Sequence, residues 1–269
     1  MVVITGTNFS STAANNVVKF GGNAVAEIID ATSTELVVEV PEAAITGAIS
    51  VTVNGSTATT ANNFTILVPT ITSVDPVIGG EGLSIIIKGT NFSTYEDYNH
   101  VKFNTAVATV TAASSTEITV PVPQGATTGK ITVKVGPNTA TSADNFTVCN
   151  DAEIVIRTGT ATVNGNSINY SFTLFNYGKQ TIDLNQWSYQ NYASINAVYE
   201  PGDAGGGGSV LDGNGTIATG ESKVITSSVG FGSSPSIYNY FIFTVSVDAG
   251  QSVTECNTTD NMLSVPINK

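Results

Sequence analysis

One pattern occurs twice in this chain, 82–83 residues apart. Gly6-Thr7-Asn8-Phe9 returns as Gly89-Thr90-Asn91-Phe92, and Val18-Lys19-Phe20 as Val101-Lys102-Phe103, both 83 positions on. Thr34-Glu35-Leu36 matches Thr116-Glu117-Ile118, Thr46-Gly47 matches Thr128-Gly129, and Asn63-Phe64-Thr65 matches Asn145-Phe146-Thr147, all at 82. One residue is lost in the turn between. Five anchors in register make residues 1–148 two copies of one unit, so the chain is a modular array and not one large core. Such arrays usually space, display or bind.

The units read as β. Ile49-Ser50-Val51-Thr52-Val53 alternates apolar and polar residues, and Asn54-Gly55 follows as a two-residue hairpin turn. Ile131-Thr132-Val133-Lys134-Val135, then Gly136-Pro137-Asn138, does the same in the second copy. Ile85–Ile87 and Glu35–Val40 are further strands. No 11-residue window shows a helical period. Short strands with turns every 8–12 residues predict consecutive β-sandwiches, immunoglobulin-like and elongated in sum.

The composition agrees. Of 269 residues, 41% are hydrophobic but only 11% charged, against about 25% in ordinary domains. Surface polarity must come from Thr, Ser, Asn and Gly. The net charge is −12, with nine Lys plus Arg. No basic stripe exists to neutralise phosphates, which argues against nucleic acid and against anionic membrane surfaces. No apolar run is long enough to span a bilayer. Met1–Gly6 has neither a basic region nor a hydrophobic stretch, so it does not read as a signal peptide.

The two cysteines, Cys149 and Cys256, bracket the last third of the chain. They are read as a disulfide, with two unrelated buried thiols as the alternative. A bridge would close a loop of 107 residues and contribute about 4–5 kcal/mol on the chain-entropy argument. It would imply an oxidising compartment.

Residues 69–148 resemble the IPT/TIG family of immunoglobulin-like domains. The resemblance is carried by Pro69–Pro76, Gly79-Gly80-Glu81-Gly82, Ile87–Phe92, Val101–Phe103, Val120–Pro123, Thr128-Gly129 and Asn145–Thr147. Residues 1–68 resemble the same family from the second strand onward. Val2 aligns with Ile85, and nothing before it matches residues 69–83, whose Ile71 and Val74 should pack into the sandwich. Either the cut falls inside a longer protein, or another chain supplies the strand. The repeated Phe reads as a core plug. The Gly before the Asn is expected to permit a tight turn. Residues 149–269 resemble the CARDB family of bacterial adhesion-related sandwiches. Asn176-Tyr177-Gly178, Gly220-Glu221-Ser222, and the ending Val247-Asp248, Val253-Thr254-Glu255, Asp260-Asn261 carry this second resemblance. The segment from Tyr189 to Gly215 does not fit the usual short connection.

His100, the one histidine, lies beside a turn with no Gly-x-Ser-x-Gly elbow anywhere, and reads as an exposed strand residue. Zinc is argued against, since one His and no Cys-x-x-Cys are present. Gly125–Lys130 mimics a phosphate loop, and Gly213–Ala218 a dinucleotide turn, but each is followed by a strand where a helix is required. Glu200, Asp203 and Asp212 flank a glycine-rich stretch, read as a mobile solvated loop unfit to hold a carboxylate pair. Asp203, Asp212 and Asn214 offer oxygen ligands for calcium without the 12-residue loop; no other cofactor is expected. Asn-x-Ser/Thr triplets, such as those at Asn8, Asn63, Asn91, Asn145 and Asn169, read as strand–turn chemistry. The leading ligand candidate is the aromatic run Trp187, Tyr189, Tyr192 and Tyr199, beside Gln186, Gln190 and Asn191. Flat rings stack on sugars and amides bond hydroxyls, but the same face can be core.

The expectation is a non-catalytic extracellular segment at a bacterial cell surface, an adhesin, stalk or fibre. Its units are 1–68, 69–148 and 149–269, and its partners are neighbouring domains or subunits. A glycan-binding module of a polysaccharide-utilisation system is one alternative, with Trp187 exposed beside a cleft. A filament subunit joined by strand donation is another, with residues 262–269 as donor along Val2–Thr5. The stalk expectation includes small contacts at 67–69 and at 148–150.

Overall fold

The computed structural model describes residues 1–211, 215–247, 251, 253–259 and 261–269. Among them the regular structure is strand, with four single-turn 3₁₀ segments. Buried apolar residues form three clusters, centred one on each unit, and the second also takes in Tyr177 of the third. Each unit buries the inward positions of facing sheets, as period-2 patterning requires.

In the second unit one sheet runs in the order Ala112–Ala113, Glu117–Pro121, Ser84–Thr90, Thr70–Asp75. The other runs Ala106–Ala108, His100–Phe103, Gly129–Val135, Asn138–Val148, Ile78–Gly79. Ile85, Ile87, Ile118, Val101, Phe103 and Ile131 meet between them, each at most 1% exposed. Phe103 and Phe146 pack edge to face with centroids 5.1 Å apart. The chain turns from the first strand through a cis Asp75–Pro76 peptide.

The first unit repeats this plan without counterparts of Thr70–Asp75 and Ile78–Gly79. Its sheets are Val2–Thr5, Glu35–Val38, Ile28–Ala31 and Ala24–Val25, Asn16–Gly21, Ile45–Val53, Ser56–Thr59. Phe20 and Phe64 pair edge to face at 5.2 Å, as Phe103 and Phe146 do. Ser84–Thr90 has a neighbour on both sides, whereas Val2–Thr5 has only Glu35–Val38.

The third unit is a sandwich whose layers join at one corner. Ala204–Val210, Trp187–Ser194, Tyr240–Val247 and Met262–Asn268 form one layer, and Ile154–Asn164, Ser167–Asn176 and Ser222–Gly230 the other. Two parallel pairs, Ala161 with Ile267 and Thr162 with Asn268, link them. Residues 262–268 are thus built into this unit's own sheet, and the expected donor strand is already paired with Tyr240–Thr244. The glycine-rich stretch also departs from expectation. Ala204–Val210 is an edge strand paired with Trp187–Ser194, not a mobile loop. The neighbour supplies the ladder, and Gly207 at φ +136° takes up the irregularity.

The junctions differ. Between the first and second units, Leu67 and Val68 are 59% and 56% exposed. Asn91 Nδ2 donates to Val68 O at 2.8 Å, and one ion pair, Lys134 to Glu42 at 2.7 Å, spans the units. That junction is small, as expected. The second is not. Tyr177, Phe175 and Val155 of the third unit pack against the second unit's core, which also contains Cys149. Gly80 N donates to Tyr177 O at 2.7 Å, and Lys179 meets Glu81 at 2.8 Å. A Cβ on Gly80 would lie 2.2 Å from Lys179 N, so this backbone approach needs a glycine. Cys149 and Cys256 form a disulfide, which ties the second unit's core to the end of the third.

Candidate functional site

The aromatic run begins after a 3₁₀ turn, Leu184–Gln186, whose first N–H groups are capped by the Asp183 carboxylate on Asn185 N at 3.1 Å. The strand Trp187–Ser194 then alternates. Trp187, Tyr189, Asn191 and Ala193 point inward, and Ser188, Gln190 and Tyr192 point outward. Trp187 is 0% exposed and Tyr189 6%. Neither offers a ring face to a ligand, because each fills the interior between layers. Tyr189 belongs to a buried polar cluster: its hydroxyl lies 2.9 Å from that of Tyr170, which accepts from Asn191 Nδ2 at 3.1 Å. Burial, and next the Tyr189 hydroxyl, push the Tyr170 hydroxyl well above the usual tyrosine range.

Tyr192 and Tyr199 are brought together at the surface, with centroids 4.5 Å apart and planes tilted by 50°. The Tyr192 hydroxyl donates to Gln190 Oε1. Partial burial, and then the Tyr199 hydroxyl, raise the Tyr192 pKa. Beside them the bare backbone of Gly205, Gly207 and Gly208 forms the floor of a shallow cleft of about 310 Å³, with Gln190 and Tyr192 as wall. The structure therefore divides the predicted set of four into two core residues and two surface residues. Gln186 does not join the surface pair, and Asn191 borders the cleft but is itself buried.

The acidic candidates serve the backbone. Asp203 Oδ2 accepts from Glu200 N at 2.9 Å, and Glu200 Oε1 from Asn196 Nδ2 at 3.3 Å. Asp212 and Asn214 lie outside the described residues, as do Gly213 and Asp260. Cys149, Glu153 and Cys256 place potential ligand atoms within 4.8 Å of one another. The sulfurs are bonded to each other, so neither offers a thiolate. Glu153 instead accepts from Asn257 N at 2.8 Å. Glu255 Oε1 accepts from Ile154 N at 3.1 Å and its Oε2 from Asn261 Nδ2 at 2.7 Å. The C-terminal motif therefore pins the ending to the unit's first strand. His100 is exposed and pairs across the ladder with Lys134.

Two features of the repeat escaped the sequence reading. In Gly-Thr-Asn-Phe the left-handed residue is the asparagine, with φ 63° at Asn8 and 60° at Asn91. The glycine serves close packing, not a turn. A Cβ on Gly89 would stand 1.9 Å from Thr70 O and 2.5 Å from Phe92 Cζ. The second is Asn16 and its counterpart Asn99, both nearly buried. Asn99 Oδ1 accepts from Ser93 N at 2.9 Å, and its Nδ2 donates to the carbonyls of Ser93 and Tyr95. Asn16 makes the same bonds to Ser10 N, Ser10 O and Thr12 O. The 83-residue offset between them was the available signal.

The IPT/TIG domain family model matches residues 1–66 and again 69–148. No curated protein matches the chain. Among solved structures, the extracellular region of plexin A4 is 15% identical, with 98% of this chain and 22% of that chain covered at a TM-score of 0.45. An auxiliary nutrient binding protein from Bacteroides thetaiotaomicron is 14% identical over 41% of this chain and 36% of that one, at 0.30. SGBP-B, from a complex xyloglucan utilization locus in Bacteroides uniformis, is 12% identical over 94% and 90%, also at a low TM-score of 0.31. The chain thus spans well under half the length of the first two of these, and likenesses at this level carry no argument about ligand or partner. The family matches cover more than half of the sequence and coincide with the repeated sandwiches: the chain belongs to the IPT/TIG domain family.

Proposed function

We propose that this chain is a non-catalytic extracellular segment of a bacterial surface protein, an adhesin stalk or fibre, that holds binding elements at a set spacing. Its third unit is taken as a sandwich of the CARDB kind, on the strength of the Glu255–Asn261 ending. The carrying observation is the second junction, where a disulfide, a glycine-enabled backbone bond and shared core packing hold two units in one orientation. A spacer needs such a joint, because a loose linker lets displayed elements wander. The disulfide also suits an oxidising, extracellular setting. Small-angle scattering on the intact chain tests this reading. An extended profile is expected, with the second and third units at one fixed distance. A compact profile, or a broad distribution of that distance, overturns it.

One observation favours a second reading, capture of a polysaccharide. Tyr192 and Tyr199 form a surface pair beside Gln190 and a glycine-lined cleft, a chemistry suited to stacking on a sugar ring. Retention on polysaccharide gels should then fall when Tyr192→Ala and Tyr199→Ala are combined. Unchanged retention removes the reading.

A further inference from the structure

The loop after Gly-Thr-Asn-Phe is built the same way in both units and dressed differently. In the first unit Asn16 holds it through Ser10 and Thr12, and in the second Asn99 does so through Ser93 and Tyr95. The turn inside it also repeats. Thr12 N donates to Ser10 Oγ at 3.1 Å and Tyr95 N to Ser93 Oγ at 3.0 Å, and a 3₁₀ turn follows at Ala13–Asn15 and at Glu96–Tyr98. At an offset of 83, Tyr95, Glu96, Asp97 and Tyr98 stand where the first unit has Thr12, Ala13, Ala14 and Asn15. The first unit forms the loop with small, uncharged side chains, so the rings and carboxylates of the second are not what folds it. Nor do they fill its core: Tyr95 is 68% exposed, Tyr98 43%, and Glu96 and Asp97 are exposed. The two rings lie edge to face, with centroids 6.0 Å apart and planes at 86°, which sets their free faces as two walls of a corner. Neither carboxylate enters an ion pair among the described residues, and Lys134, on the strand paired with His100, is already held by Glu42.

We propose that this loop of the second unit is a binding site for a cationic side chain, arginine or lysine, carried by an exposed basic segment of another polypeptide. The cation lies against the Tyr95 and Tyr98 faces, whose π-electrons attract it. Glu96 and Asp97 supply the opposite charge beside those faces. A chain of net charge −12 draws such a partner in over a distance. Tyrosine also gives a loop a large contact area with few torsions to immobilise. The inference goes beyond the stalk reading, since it gives the second unit a binding element of its own. A loop that binds nothing would leave the rigid second joint, and the reading built on it, untouched.

The probe is a blocked hexapeptide with two arginines in a glycine–serine background, titrated into the intact 269-residue chain at about 0.15 M salt. Backbone amide resonances locate the site. The expected result is saturable shifts confined to residues 93–100. The same peptide with citrulline in place of arginine keeps the shape without the charge, and should leave those resonances still. Tyr95→Thr with Tyr98→Asn copies the first unit and keeps the charge, and should weaken binding about tenfold. Thr12→Tyr, Ala13→Glu, Ala14→Asp and Asn15→Tyr, made together in the first unit, should create a second site and take the stoichiometry from one peptide per chain to two. No saturation, shifts elsewhere, equal binding of the citrulline peptide, or undiminished binding by the loop without its tyrosines overturns the proposal. A neutral oligosaccharide that moves these resonances where the peptide does not also overturns it, and assigns the loop to glycans.

Discussion

Ile87 of the second unit is fully buried, while Ile4, its counterpart 83 residues earlier, is only partly so. Phe146 is 3% exposed, yet Phe64 is only partly buried and lines a groove beside Val2–Thr5. The two units use the same anchors, the same edge-to-face phenylalanine pair and the same buried asparagine. They differ in the two strands Thr70–Asp75 and Ile78–Gly79, and those strands decide whether the isoleucines and the phenylalanine are core or margin. A sandwich core thus depends on its edge: closing one more ladder converts partly wet apolar residues into dry ones.

Breaking the better-anchored side should have the largest effect. Replacing Cys149→Ser together with Cys256→Ser releases a 107-residue loop, a loss of about 4–5 kcal/mol on the chain-entropy argument. Thermal unfolding followed unit by unit through amide exchange should show the second and third units destabilised and the first unmoved. Equal loss in the first unit would mean that the units are not separate cooperative bodies.

The copies can next be compared at one position. Ile87→Ala should cost about 3 kcal/mol, as for a fully buried aliphatic. Ile4→Ala should cost about 1 kcal/mol, because part of that side chain already meets water. Exchange from the amides of each unit reads the two values side by side. Similar costs would deny that the groove leaves Ile4 short of neighbours.

The smallest effect concerns the joint between the copies. Lys134, by hydrogen bond and then by charge, holds the Glu42 carboxyl below the usual carboxylate range. A carboxylate with a depressed pKa contributes above its unfolded pKa, and that contribution disappears as the pH falls through the folded value. The contact is exposed, so the effect is slight and weakened by salt. Spin labels placed on the first and second units should report a broader distance distribution on acidification below the carboxylate range. Glu42→Gln should reproduce that breadth at neutral pH. A distribution indifferent to both would remove the ion pair from the joint.

Much of the fold was legible because repetition is robust to local ambiguity. The offsets of 82 and 83 aligned strands that single windows could not have delimited, and they located the open edge at Val2–Thr5. The second junction was not legible. Gly80 and Tyr177 stand in motifs quoted for the two resemblances, but nothing in those motifs says that they meet, and their contact, like that of Lys179, depends on how two sandwiches dock. The aromatic run was legible as a cluster but not as two faces. A strand places Trp187 and Tyr189 on one side and Tyr192 on the other, yet only tertiary packing decides which side is dry. The glycine-rich stretch misled because composition signals backbone freedom, while the strand Trp187–Ser194 beside it supplied a ladder that used the freedom up.

The central claim, that one unit is a closed sandwich and its repeat an open one, is tested most directly by hydrogen exchange on the unmodified chain. Exchange at Ile86 and Lys88, which pair with Asp75 and Ser73, should be slow, and exchange at Val3 and Thr5 should be fast. Equal, slow exchange at all four amides in a monomer would contradict it.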